Sequence, residues 1–202
     1  MSTGLAVRHV FASRATSRSF LVRWTPTFLG FPAGGALTIL LTGPVNAPLP
    51  ALLGGLLARA VIGGSQWLAL PDRLPDAAWW IPASALAYAI GLAAGSALVS
   101  YQTRMAQFVV QGAVTGLALG IGQGLILRRI LPGWAWWALA MPFLWALGWV
   151  ITTASQVQVN QQFSNFGAHG SLAFCLLSCL LLSHLLRDPS PVQSSSRVTP
   201  AP

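Results

Sequence analysis

Six apolar stretches, near 27–43, 51–70, 78–100, 107–127, 134–155 and 166–187, take up most of this chain. Most are close to the roughly 20 helical residues that cross a hydrocarbon core of ~30 Å. None contains an acidic residue, and one Arg, Arg59, lies in the interior of a stretch. The pattern predicts an all-α, polytopic membrane helix bundle, with six transmembrane helices arranged as three hairpin repeats in parallel orientation. The first stretch is the shortest and carries Pro32 and the pair Gly34–Gly35. A tilt, a kink or a start several residues upstream would each reconcile it with a full crossing.

Composition agrees with a lipid solvent. Of 202 residues, 54% are hydrophobic and only 7% are charged, too few charges to solvate a globular surface of this size. All eleven basic residues are Arg, and the acidic side is three Asp with no Glu. The high pI therefore reflects a shortage of acids. A nucleic-acid partner is not expected, because the basic residues fall between apolar stretches instead of lining one face with stacking aromatics. The expected partner is the lipid bilayer. The bias toward Arg, Ala, Gly and Pro is that of a GC-rich genome, which points to a bacterial cell membrane.

Arginine placement sets the expected orientation. The N-terminal segment holds four, the connection at Arg73 one, Arg128 and Arg129 two, and Arg187 with Arg197 two, nine in all on one side. The opposite connections hold only Arg104, so both termini are expected in the cytoplasm. Residues 1–25 read as a cytoplasmic N-terminal extension without a cleavable signal. Residues 26–187 read as the six-helix domain, and 188–202, rich in Pro and Ser, as a disordered cytoplasmic tail.

The chain repeats itself. GGSQWLALPDRLPDAAWW at 63–80 recurs as GIGQGLILRRILPGWAWW at 120–137, a period of 57 residues that pairs Gln66 with Gln123 and the tryptophans 79/80 with 136/137. Trp24 to Gly35, Trp80 to Gly91 and Trp137 to Gly148 are each eleven positions apart. Three hairpin units follow, at about 24–71, 78–130 and 134–187. Each returns to its starting side, so the units are related by a pseudo-rotation axis along the membrane normal. Their tryptophans are expected at the cytoplasmic interface, where an amphipathic ring is favoured.

This signature resembles that of a group of multi-pass bacterial membrane proteins with glycine-rich helices, a GxxQWLxL turn-in and an LPxAxWW re-entry. The resemblance covers residues 20–187 and implies fold and location only. The chain departs from it at Gly124, where the group has Trp after the Gln, and at Pro71–Asp72, where the group has a basic pair. Mitochondrial carriers also consist of three hairpins, but their Pro-x-acidic-x-x-basic signature is missing from these spans.

In lipid, apolar burial no longer drives helices together, and small residues that allow close backbone approach take over. Gly112, Gly116, Gly120 and Gly124 recur every four residues on the fourth span, Gly167, Ser171, Cys175, Cys179 and Ser183 on the sixth, and Ala83, Ala87, Gly91 and Gly95 on the third. Residues four apart share a helix face, so each stripe is a packing groove. A lipid or substrate groove lined by the same glycines is the functional alternative, and self-association into a homo-oligomer through these faces is a third use. Cys175 and Cys179 are read as small packing residues, because their geometry on one helix suits neither a disulfide nor, without further ligands, a metal.

Arg59 is the most informative single residue, near the bilayer midplane by helical rise. A central Arg costs ~2.5–3.5 kcal/mol on the insertion scale, which the aliphatic residues of its span, at ~0.3–0.6 kcal/mol each, only just offset. With no acid in any span, its charge must be met by carbonyls, Gln side chains, water or an anionic ligand. Two readings follow, an anion or lipid-headgroup site and a snorkelling or water-solvated Arg. Gln66 and Gln123 read either as interhelical glue or as pore-lining amides.

His169 and His184 lie at opposite ends of the sixth span and cannot share a metal. Ser96 and Ser171 lack an elbow or partner motif. No catalytic residue, metal site or cofactor is therefore expected, and the chain does not read as an enzyme. The amide-rich segment 156–165 reads as a solvated outer loop or a recognition surface for a polar partner. The expected function is that of a structural or accessory membrane protein, the alternative a small transporter or channel built around Arg59, Gln66 and Gln123.

Overall fold

A computed structural model of the protein describes residues 18–70, 77–156 and 164–187. Most of the expected N-terminal extension, the connection with Asp72 and Arg73, most of the 156–165 segment and the tail from 188 lie outside the described residues. Every regular element among the described residues is helical: α1 (Arg18–Trp24), a 3-10 turn (Thr25–Leu29), α2 (Gly30–Thr42), α3 (Pro48–Ala69), α4 (Ala77–Leu98), α5 (Met105–Leu127), α6 (Trp134–Ala154) and α7 (Ala168–Arg187). Six helical segments are long and apolar enough to cross a membrane.

The first of these runs from Phe20 to Thr42 and includes α1, the 3-10 turn and α2. Of the alternatives open for the shortest stretch, this is the start several residues upstream. Phe20 and Trp24, one helical turn apart, are buried and stack toward each other with centroids 5.6 Å apart. Arg23 on the outer side donates to the Leu68 carbonyl at 3.1 Å and ties α1 to the end of α3. The break in the helix has a local cause. Pro26 and Pro32 have no backbone N–H, so the carbonyls four residues before each lose their helical partner and the chain between winds more tightly. Pro82 and Pro142 interrupt α4 and α6 in the same way without ending them.

Each helix packs against its neighbours in sequence, and α7 packs back against the 3-10 turn, α1 and α2, which closes the six spans into a ring. On the face away from the termini, α2 ends at Gly43 with φ +74°, α4 ends near Ser100 and Tyr101 with φ 51° and 57°, and α6 ends near Gln156 with φ 55°. The left-handed residue lets the chain leave the helix while the last carbonyls stay bonded, as Gly43 N–H to Ile39 and Tyr101 N–H to Ser96 show. These three caps recur at close to the 57-residue period of the sequence.

Glycines set the helix spacing. A Cβ added at Gly116 would lie 2.5 Å from the Met141 carbonyl oxygen, and one at Gly120 2.6 Å from that of Ala138. The Ala138 carbonyl is the one Pro142 releases from the α6 ladder, so the glycine lets a neighbouring helix approach an otherwise unpaired acceptor. A Cβ at Gly112 would lie 2.5 Å from Trp149 of α6, and one at Gly124 3.0 Å from Trp134. A second small-residue face of α5, made of Gln111, Thr115, Ala118 and Gly122, receives Ala87, Gly91 and Gly95 of α4. On α7 the tight contact belongs to Gly170, against the Gly148 carbonyl and Thr152, while Gly167 donates its N–H to Thr152 at 3.1 Å. These faces are occupied by neighbouring helices of the same chain.

Candidate functional site

The interior of the ring is filled by side chains from helices that do not touch one another along their backbones. Phe31 of α2, Tyr88 of α4 and Trp145 of α6, one from each hairpin, are fully buried. Trp145 meets Tyr88 at 5.0 Å and Phe31 at 6.0 Å between centroids. Phe166 and Phe174 complete the cluster, with Phe166 stacked on Phe31 at 5.0 Å and Phe174 5.5 Å from Trp145. These rings close the interior toward the face away from the termini.

The segment before α7 takes part in this closure. Ser164, Asn165 and Phe166 are buried, the Tyr88 hydroxyl donates to the Ser164 carbonyl, and Asn165 Nδ2 donates to the Phe31 carbonyl at 3.1 Å. This corrects the expectation of a solvated loop for the end of 156–165. Two polar side chains in an apolar setting find backbone acceptors inside the bundle, and Phe166 carries the segment inward with it.

Toward the termini, the tryptophan eleven positions before the repeated glycine turns inward in each unit. Trp24, Trp80 and Trp137 are fully buried, whereas Trp79 and Trp136 are 64% and 67% exposed. Neighbouring residues on a helix point in different directions, so an adjacent pair cannot share the interface position expected for both. Trp137 Nε1 donates to Gln123 Oε1 at 3.2 Å, and Gln123 Nε2 donates to Ser84 Oγ at 3.0 Å. One amide thus links α4, α5 and α6. Trp24 Nε1 donates to Ser178 Oγ at 3.2 Å. One period earlier, Gln66 occupies the position of Gln123, but its oxygen is taken by Arg59, and the indole N–H of Trp80 has no partner.

Arg59 is completely buried at the middle of α3. It neither snorkels nor reaches solvent. Its Nη2 donates to Gln66 Oε1 at 2.6 Å, two turns along the same helix, while Nε and Nη1 have no hydrogen-bond partner. It lies within electrostatic reach of Tyr88 on α4 and Cys175 on α7. Because α3 and α7 do not pack together, this reach places the guanidinium in the ring interior. Trp145, in ring contact with Tyr88, likewise carries an indole N–H without a partner. Unsatisfied groups in this interior are therefore mostly donors, the guanidinium and two indoles, beside the Ser164 hydroxyl.

Cys175 and Cys179 are buried, free thiols, and the Cys175 sulfur lies 3.5 Å from the Thr27 hydroxyl across the ring closure. His169 and His184 are exposed at opposite ends of α7. Ser96 is buried with no partner for its hydroxyl, and Ser171 donates to the Ala168 carbonyl at 2.9 Å. Among the described residues no three His, Cys, Asp or Glu gather as a metal site.

Tyr88, Trp145, Phe31 and Asn165 were missed from sequence. A signal existed for two of them, since Tyr88 and Trp145 each stand three residues before the repeated Gly91 and Gly148. Phe31 stands four before Gly35, a shift that accompanies the 3-10 winding of its unit.

No family model matches this chain, and no curated protein or solved structure matches it either.

Proposed function

We propose that this integral membrane protein holds a small anion inside its helical ring at Arg59, as an occluded carrier or sensor site and without catalysis. The observation that carries the reading is a completely buried guanidinium with two of its three nitrogens unpartnered. A buried cation short of acceptors is strongly destabilising, and a bundle that needed only packing would be better served by an apolar side chain. An anion would supply the missing acceptors, and the partnerless indoles of Trp80 and Trp145 add donors suited to the same charge. The aromatic closure on one side and the three buried tryptophans on the other leave little room for acyl chains. That favours a small free anion over a lipid headgroup.

The test is anion-dependent thermal stability of the detergent-purified protein, with chloride, nitrate, bicarbonate and phosphate as probes, followed by flux of the responding anion in proteoliposomes. An anion present at about 100 times its Kd stabilises by roughly 2.7 kcal/mol. At ~2–4 °C per kcal/mol for a chain of this size, the expected rise in Tm is about 5–10 °C, absent in Arg59→Met. No response to any probe, or an equal response in the variant, would refute the site.

A structural or accessory role is the second reading, favoured by the aromatic side chains that pack together in the middle of the ring. Both termini are placed in the cytoplasm of a bacterial cell on the arginine count. Cysteines introduced at Gln102 and Arg128 check this: an impermeant thiol reagent applied outside intact cells is expected to label the first alone.

A further inference from the structure

On the outer circumference of the ring, α4 and α5 form a groove of about 570 Å³. Its floor is made of Ala83, Ala87, Ala118 and Gly122, where the two helices press together closely enough that a Cβ on Gly122 would lie 2.6 Å from that of Ala87. Its walls are Leu86 and Ile90 on one side and Ile121 and Leu125 on the other, all exposed. Trp79, Arg128 and Arg129 close the end on the side of the termini. The groove is separate from the ring interior, so nothing in it depends on the reading of Arg59.

We infer that this groove is a binding site for one anionic phospholipid, with an acyl chain along the floor and the headgroup phosphate on Arg128 and Arg129. Length supports a lipid over a further helix. From Ala118 to Arg128 is ten helical steps of ~1.5 Å, or ~15 Å, half of a ~30 Å hydrocarbon core and so the depth of a single leaflet. Charge decides the headgroup. Both arginines are exposed, they stand where the last carbonyls of α5 bring the chain to the interface, and adjacent bases at that depth attract anionic lipid. An exposed Trp79 at the same level suits the headgroup region. The equivalent positions of the first unit, one period earlier, are Pro71 and Asp72, so the basic pair belongs to the α5 end alone.

Native mass spectrometry of the full-length protein with equal phosphatidylglycerol and phosphatidylcholine of matched acyl chains tests the site. The wild type is expected to retain one phosphatidylglycerol with a preference on the order of 10-fold or more. The variant R128Q/R129Q is expected to bind both lipids alike, R128K/R129K to keep the preference, and Ala83→Phe, which obstructs the floor, to lose retention of both. Single R128Q provides an independent arm with an intermediate preference. Unchanged preference in R128Q/R129Q, unchanged retention in Ala83→Phe, or a second copy of the chain held in place of lipid would overturn the assignment. Arg59→Met is expected to leave lipid retention unchanged, which separates this result from that of the interior site.

Discussion

Replacing Arg59 by Met is expected to make the anion-free protein more stable, a direction opposite to that of most core substitutions. Met matches the length of the Arg stem without its charge. Two unpartnered buried nitrogens disappear, each representing about 1–3 kcal/mol of unsatisfied desolvation. Against this, the bond from Nη2 to Gln66 Oε1 at 2.6 Å is lost, worth about 1.5–3 kcal/mol for a charged donor.

The freed Gln66 oxygen has a substitute donor at the start of the next unit. Trp80 carries an indole N–H without a partner, and the equivalent pair one period later, Trp137 and Gln123, is bonded at 3.2 Å. A Trp80-to-Gln66 bond would return about 1 kcal/mol. The sum favours the variant by about 3 kcal/mol, or a Tm higher by roughly 6–12 °C. The assay is thermal unfolding in detergent after exchange into a buffer whose only anion is a bulky sulfonate, so that no small anion fills the wild-type site. A Tm for Arg59→Met below that of the wild type under these conditions would refute the reasoning, because it would mean that the guanidinium is fully satisfied by the protein itself.

Four other substitutions probe the frame that holds this site. Gly116→Leu is expected to destabilise by about 3 kcal/mol through overpacking against the Met141 carbonyl, whereas Gly64→Leu, where an added Cβ meets nothing within 4 Å, is expected to be neutral or stabilising; comparing their Tm values checks the contrast. Gln123→Leu strands the Trp137 indole and the Ser84 hydroxyl in a buried setting and is expected to lower stability by about 3 kcal/mol in chemical denaturation; a loss below about 1 kcal/mol would mean that the amide does not join the helices. Tyr88→Phe removes the donor to the Ser164 carbonyl, so hydrogen exchange is expected to quicken at 164–166 while α5 stays protected, as exchange mass spectrometry would read.

Most of the architecture was legible because lipid enforces simple rules. An apolar stretch of about twenty residues has few alternatives to a helix in a membrane, so the six spans could be read from hydropathy, with the start of Phe20–Thr42 left open between a tilt, a kink and an upstream beginning. It stayed open because Arg18 and Arg23 of α1 mask the apolar pair Phe20 and Trp24 in a linear reading but not on a helical face. The site was legible only in part. Arg59 stood out as a charge in an apolar span, and Gln66 as a polar residue near it, because each is costly at membrane depth.

The sequence by itself determined the medium, the helical class, the number of crossings and the identity of the charge that lipid cannot solvate, since each follows from the composition of a contiguous segment. Only the tertiary structure decided that α7 closes the ring, that Phe31, Tyr88, Trp145, Phe166 and Phe174 seal its interior, and that Gln123 bridges three helices while Gln66 serves Arg59 alone. These depend on which faces of distant helices meet. One residue of added twist, such as the 3-10 turn before α2 introduces, turns a face by roughly 100° without changing the hydropathy of the stretch at all.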